Sequence, residues 1–180
     1  TLVEVDGIDQ PSWQHAASDQ AIVIPRHGLL PALWEVALNQ AQSADAVINA
    51  GYDWLPLWLT PWVKPPVFHL ISMGDVSDVM RETIEAVAGW DARRLAFHTR
   101  RQANDFRLPL PATVVGNGFD LSRYTMSAEN DGPLGWAGRI APEKGLEDAA
   151  AAAAALGERL LVWGLKENAA YADEVESRVP

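Results

Sequence analysis

The sequence predicts an α/β protein built on parallel sheets. Three observations carry that prediction. Short apolar runs of strand length alternate with segments of helical periodicity, Gly or Pro punctuates most of the junctions between them, and the composition suits a chain with a sizeable core. Of 180 residues, 48% are hydrophobic and 21% are charged, a balance that sets disorder aside. Strands that alternate with helices are joined by crossovers, and so are expected to lie parallel with right-handed connections.

Taken in order, Leu2-Val3-Glu4-Val5 alternates like a short strand and runs into Asp6-Gly7. The chain is therefore expected to begin inside a sheet, with part of its domain upstream. Residues 8–28 read as loop around a candidate strand, Ala21-Ile22-Val23-Ile24. From 29 to 43, Leu30, Leu33, Trp34, Ala37, Leu38 and Ala41 recur as one face of a helix, with Pro31 suited to its first turn. Residues 46–50 form a buried-strand run closed by Gly51, and residues 52–66, rich in Trp and Pro, read as a loop. Val67-Phe68-His69-Leu70-Ile71 is the next strand, and 76–87 the next helix through Val76, Val79, Met80, Ile84 and Val87. A strand at 94–99, a helical piece at 100–106 and a strand at 112–115 complete this part.

After Asp120 the composition turns polar through residues 122–133, and a second βαβα run begins at Leu134. A strand ends at Gly138, the alanine run 149–155 is the strongest helix signal in the chain, and Gly157 stops it. Residues 159–164 form the partner strand, with Trp163 expected in the core, and 168–178 a last helix before Pro180. The domain boundary is thus expected at 120/121, with both domains present only in part.

Charge and composition exclude several functions. Fourteen Lys and Arg against 24 Asp and Glu give a net charge of −10, which rules out a broad phosphate-backbone footprint and hence nucleic acid as partner. The absence of cysteine removes disulfides, thiolate metal sites and cysteine nucleophiles. No apolar run reaches the roughly 20 residues of a spanning helix, and the first residues lack a basic leader, so a soluble, cytoplasmic protein is expected. The five arginines between Arg93 and Arg107 read as a solvated helix face, or at most as a patch for peripheral membrane contact.

Ligands of open parallel sheets collect at the carboxyl ends of the strands. There Gly138-Arg139-Ile140-Ala141-Pro142-Glu143-Lys144-Gly145 leaves a strand and enters a helix, grouping Arg139, Lys144 and free backbone N–H groups as an anion site requires. A phosphate or diphosphate is the natural guest, because Arg grips two oxygens at once and Lys adds a point charge. The alternative, that both cations merely pair with Glu143 or Glu147 on a solvated surface, stays open at this level.

Val115-Gly116-Asn117-Gly118-Phe119-Asp120-Leu121-Ser122-Arg123-Tyr124, followed by residues 134–145, resembles the family 4 glycosyltransferases, with their junction "Pro-Asn-Gly-Val-Asp" and later "Val-Gly-Arg…Pro-Glu-Lys-Gly". The resemblance implies a GT-B architecture of two Rossmann-like domains facing across a cleft. It also implies retaining transfer of a hexose from a nucleoside diphosphate sugar to a small hydroxylated acceptor, with neither metal nor other cofactor. Residues 1–120 would be the back part of the acceptor domain and 121–180 the opening of the donor domain. By the same resemblance Gly138, Arg139 and Lys144 hold the donor diphosphate and neutralise charge on the leaving group, and His69 hydrogen-bonds beside the transferred sugar. Asn117, Gly118 and Asp120 match the junction motif, more as turn formers than as catalysts. His15, His27 and His98 are expected to be structural, with the alternative for His98, at the end of another strand, that it also faces the cleft.

On the acceptor side, Tyr52, Asp53 and Trp54, with Asp75, are the candidates, since aromatic faces stack on sugars or planar heterocycles. Trp58 and Trp62 are expected to pack against their own domain. The stretches 52–61 and 69–75 resemble a branch of that family that glucosylates a reduced pterin from UDP-glucose. Two family features are absent, the glycine-rich loop after the first strand and a downstream pair of glutamates separated by seven residues, and Gly116 stands where the family has Pro. These residues alone are therefore not expected to turn over substrate. A non-catalytic nucleotide-sugar-binding relative, and a sugar-phosphate or glycogen-synthase-like enzyme of the same fold, are the competing readings.

Overall fold

The structure, a computed structural model, describes residues 2–9, 26–126, 128 and 132–177. The chain divides into two compact units, Thr1–Phe119 and Asp120–Pro180.

In the first unit helix α1 (Leu29–Ala41) precedes four strands, β1 (Val47–Asn49), β2 (Val67–Ile71), β3 (Leu95–Phe97) and β4 (Thr113–Val114). They form one sheet in the order β1-β2-β3-β4, parallel at every step. Helices α2 (Trp54–Leu59), α3 (Asp78–Asp91) and α4 (Arg100–Ala103) make the connections. Alternate residues of the strands, Ile71, Leu95 and Phe97, meet Met80, Ile84, Val87 and Ala88 of α3 in the core, with Leu57, Ala103 and Phe106 closing it. The α3 residues are spaced four, seven and eight apart, so they form one stripe facing the sheet. Ser77, itself buried, accepts the Met80 N–H through Oγ at 3.3 Å and caps α3. Its replacement by alanine is expected to lower the unfolding free energy of this unit by about 1 kcal/mol, readable as a shifted urea midpoint with an unchanged slope.

Three expectations are corrected here. Residues 2–5 form no strand: a strand needs a neighbour for its backbone groups, and the pairing falls instead on Ile8, whose N–H donates to His27 O and whose carbonyl accepts from Leu29 N–H, both at 2.9 Å. Residues 52–66 are not all loop, because Asp53 accepts the Trp54 N–H at 2.7 Å and starts α2, which runs into a 3-10 turn at Thr60–Trp62. Trp58 and Trp62 do not pack inward but are 58% and 77% exposed, because the short α2 turns Leu57 into the core and leaves them outside. The candidate strand 21–24 and His15 lie outside the described residues.

In the second unit β5 (Leu134–Ala137) pairs in parallel with β6 (Leu160–Trp163), and α5 (Leu146–Leu156) and α6 (Ala169–Ser177) follow them. Trp136 and Leu160 pack on a core of Ile140, Leu146, Ala150, Ala172 and Val175. The other sheet face carries Gly135, Ala137, Leu161 and Trp163 by alternation. Trp163, expected in the core, is therefore 57% exposed; the helices cover one face of this two-stranded sheet. The alanine helix ends at Gly157 in the left-handed region (φ 67°), where Glu158 N–H reaches Ala153 O at 2.9 Å. Among the described residues no helix is long and apolar enough to cross a membrane.

Candidate functional site

In each unit the polar groups of interest lie in or just after the strands. The first unit begins with His69, in the middle of β2 between Asn49 of β1 and Leu95 of β3 and 1% exposed. Its Nδ1 lies 3.0 Å from Asn49 Nδ2 and its Nε2 2.6 Å from Thr60 Oγ1. The proton positions follow from the partners. Asn49 Nδ2 donates to Gly51 O at 2.9 Å while Gly51 N–H donates to Asn49 Oδ1 at 3.2 Å, so the amide cannot be reversed and Nδ1 of His69 must accept. Nε2 then carries the hydrogen and donates to Thr60, whose hydroxyl donates to Pro56 O at 2.8 Å.

Every polar atom of this cluster is used, and burial lowers the imidazole to a pKa of about 4. His69, expected to look out beside a sugar, is thus an interior, neutral group tying β1, β2 and the 3-10 turn together. The strand alternation that sends Val67, His69 and Ile71 inward puts it there.

The acceptor-side candidates separate. Tyr52 donates its hydroxyl to Gly74 O at 2.8 Å, joining the loops after β1 and β2. Burial raises its pKa, with Asp75 and Asp105 adding to the effect. Asp75 pairs with Arg81 at 2.8 Å, and Arg81 also holds Asp78. Asp53 caps α2, and Trp54 packs against the core. Tyr52 and Asp75 are brought together, whereas Asp53 and Trp54 serve the helix.

Sequence reasoning missed Gln102. Its Nε2 donates to Ile71 O at 2.8 Å and Met73 O at 2.9 Å, and its Oε1 accepts the His98 N–H at 3.0 Å. One carboxamide thereby satisfies the carboxyl ends of β2 and β3. No local pattern signals it, because the two carbonyls it binds lie about thirty residues back in sequence. Asn117 and Gly118 are exposed just beyond β4, and Asp120 Oδ1 accepts from Ser122 N–H at 3.2 Å and its hydroxyl at 2.6 Å, a local turn.

In the second unit the β5–β6 pairing continues past the strands. Gly138 N–H donates to Trp163 O at 3.0 Å and Ile140 N–H to Leu165 O at 2.9 Å. That zipper fixes where Arg139 emerges. Its guanidinium holds Glu143 at 3.1 Å and also Glu167. Glu167 was not foreseen, since only the tertiary pairing brings it to a residue 28 positions away. Glu147, the other partner considered, instead accepts from the Tyr171 hydroxyl. Lys144 is exposed on the 3-10 turn Pro142–Lys144, one residue before Gly145 (φ 65°) opens α5. Arg139 is thus held by two carboxylates, while Lys144 stands exposed five residues further on.

Of the arginines between 93 and 107, Arg93 and Arg94 both pair with Asp91, and Arg94 stacks on Phe68 and Trp90. Among the described residues no group of three His, Cys, Asp or Glu is placed to hold a metal ion.

Fold and site together define an α/β protein of parallel sheets with its polar clusters at the carboxyl ends of the strands. No family model matches the sequence, and no curated protein matches it.

Proposed function

We propose that this chain is part of a retaining glycosyltransferase of the GT-B type that moves a hexose, glucose first among candidates, from a nucleoside diphosphate sugar to a small hydroxylated acceptor such as a reduced pterin. The observation that carries the reading is the loop from Gly138 to Gly145, which leaves the carboxyl end of β5 with Arg139 anchored by the strand zipper and Lys144 exposed five residues on. A guanidinium already gripping two carboxylates has the planar, paired geometry that a diphosphate also satisfies. On this reading Arg139 and Lys144 neutralise the charge that builds on the departing nucleoside diphosphate, while Glu143 and Glu167 hold the guanidinium until the donor arrives.

The test is calorimetric titration of the full chain with UDP, GDP and ADP. Micromolar binding of one nucleotide is expected, with at least a tenfold loss in an Arg139→Ala/Lys144→Ala variant and a gain in Glu167→Gln, where one competing carboxylate is gone. Absence of binding to all three would overturn the reading.

A further inference from the structure

Two imidazoles of the first unit's sheet are opposites. His69 has both ring nitrogens engaged inside the sheet, whereas His98, the first residue after β3, is half-buried and makes one ring contact, Nδ1 to Gly116 O at 3.1 Å. A backbone carbonyl only accepts. Nδ1 therefore carries the hydrogen, and the neutral ring presents the Nε2 lone pair, which has no hydrogen-bond partner among the described residues.

The ring is held from two sides. Its own N–H is bound by Gln102, which is tied to the end of β2, and its Nδ1 is bound by the residue two past the end of β4. Gly116 has φ +73°, a value closed to proline, whose ring holds φ near about −65°. The position that departs from the glycosyltransferase junction pattern is thus the one whose carbonyl orients His98. Around it, Ser72 lies one residue past Ile71, the register partner of Phe97, and Thr99 and Asn117 follow the ends of β3 and β4. Ser72 and Asn117 are both exposed.

We propose that His98 is the imidazole this unit offers to a ligand, with Nε2 accepting a hydrogen bond from a hydroxyl of a small, neutral polyhydroxylated molecule bound at the carboxyl ends of β2–β4. Hydroxyl groups supply both the donor that Nε2 requires and the acceptors that Ser72 and Asn117 can serve. Naming that molecule as the acceptor of glycosyl transfer rests on the reading above; the site itself does not.

The test uses nitrogen-15 NMR of the imidazoles in the full chain, titrated with glucose and myo-inositol as probes. His98 is expected to be protonated at Nδ1 and His69 at Nε2, and the His98 Nε2 resonance is expected to shift saturably with at least one probe. His98→Asn keeps an N–H near the Nδ1 position for Gly116 and removes Nε2, so the melting temperature should hold while probe affinity falls about tenfold. His98→Phe should lose both. A His98 protonated at Nε2, no saturable shift with either probe, or full affinity in the Asn variant would overturn the proposal. The nucleotide titration at Arg139 and Lys144 is read separately: a responsive His98 without nucleotide binding sinks only the glycosyltransferase reading, and nucleotide binding with a silent His98 sinks only this one.

Discussion

Replacing Gly164 by alanine is expected to unfold the second unit. Gly164 follows β6 and lies against the backbone of Gly138, and a Cβ built on it would stand 1.6 Å from Gly138 O and 2.8 Å from Gly138 C. Neither atom is the end of a flexible side chain, so β5 and β6 must part where Gly138 N–H and Ile140 N–H hold them together. Ordinary overpacking costs roughly 1–3 kcal/mol, and this overlap with rigid backbone exceeds that case. Among the described residues, the unit's core cluster has five buried apolar residues to set against the loss. Hydrogen exchange should show protection lost through residues 134–177 while β1–β4 stay protected. Gly135→Ala is the control, since its Cβ meets only Trp163 at 3.4 Å, an ordinary contact. A Gly164→Ala protein as protected as the parent would refute the close approach, and with it the placement of Arg139.

Acidification is expected to destabilise the first unit through His69. The folded imidazole has a pKa of about 4 against roughly 6.5 in the unfolded chain. Between those values the unfolded state binds a proton that the folded state refuses, so stability falls as pH drops through this window and is unaffected by His69 above it. At about 1.4 kcal/mol per pH unit the loss by pH 4 is on the order of 3 kcal/mol. Protonation has a structural cost to match, since an N–H at Nδ1 would face the Asn49 amide, which Gly51 holds in place. Carboxylates titrate in the same range, so the measurement is a difference. Urea midpoints from pH 7 to pH 4 should fall more steeply in the parent than in His69→Gln. Equal slopes would show that the ring is neither neutral nor sealed.

Much of the fold was legible because it rests on local periodicity. The run Val67–Ile71 is a strand at the expected residues, and the spacing of Met80, Ile84 and Val87 marks the buried stripe of α3. Gly157 ends the alanine helix as its conformational freedom suggests. The failures share a cause. Leu2-Val3-Glu4-Val5 alternates correctly but pairs with no strand among the described residues, and α2 hides behind Pro56 and Pro61, where the cap at Asp53 outweighs the lack of periodicity. Trp58 and Trp62, expected to pack against their own domain, and Trp163, expected in the core, are exposed, because how many helices cover a given face is not a local property.

The site divides along the same line. Residue types and their order in the chain were enough to find a cationic loop after a strand, Gly138 to Gly145, and two histidines in or after strands. Which histidine has both ring nitrogens engaged, which carboxylates hold Arg139, and why Gly164 must be glycine were settled only by tertiary contacts. Those answers depend on pairs such as Asn49 with His69, Gly116 with His98 and Glu167 with Arg139. Sequence periodicity reports the faces of one element at a time, whereas a hydrogen bond across 18 to 28 residues exists only once the sheet has set the register that brings its partners together.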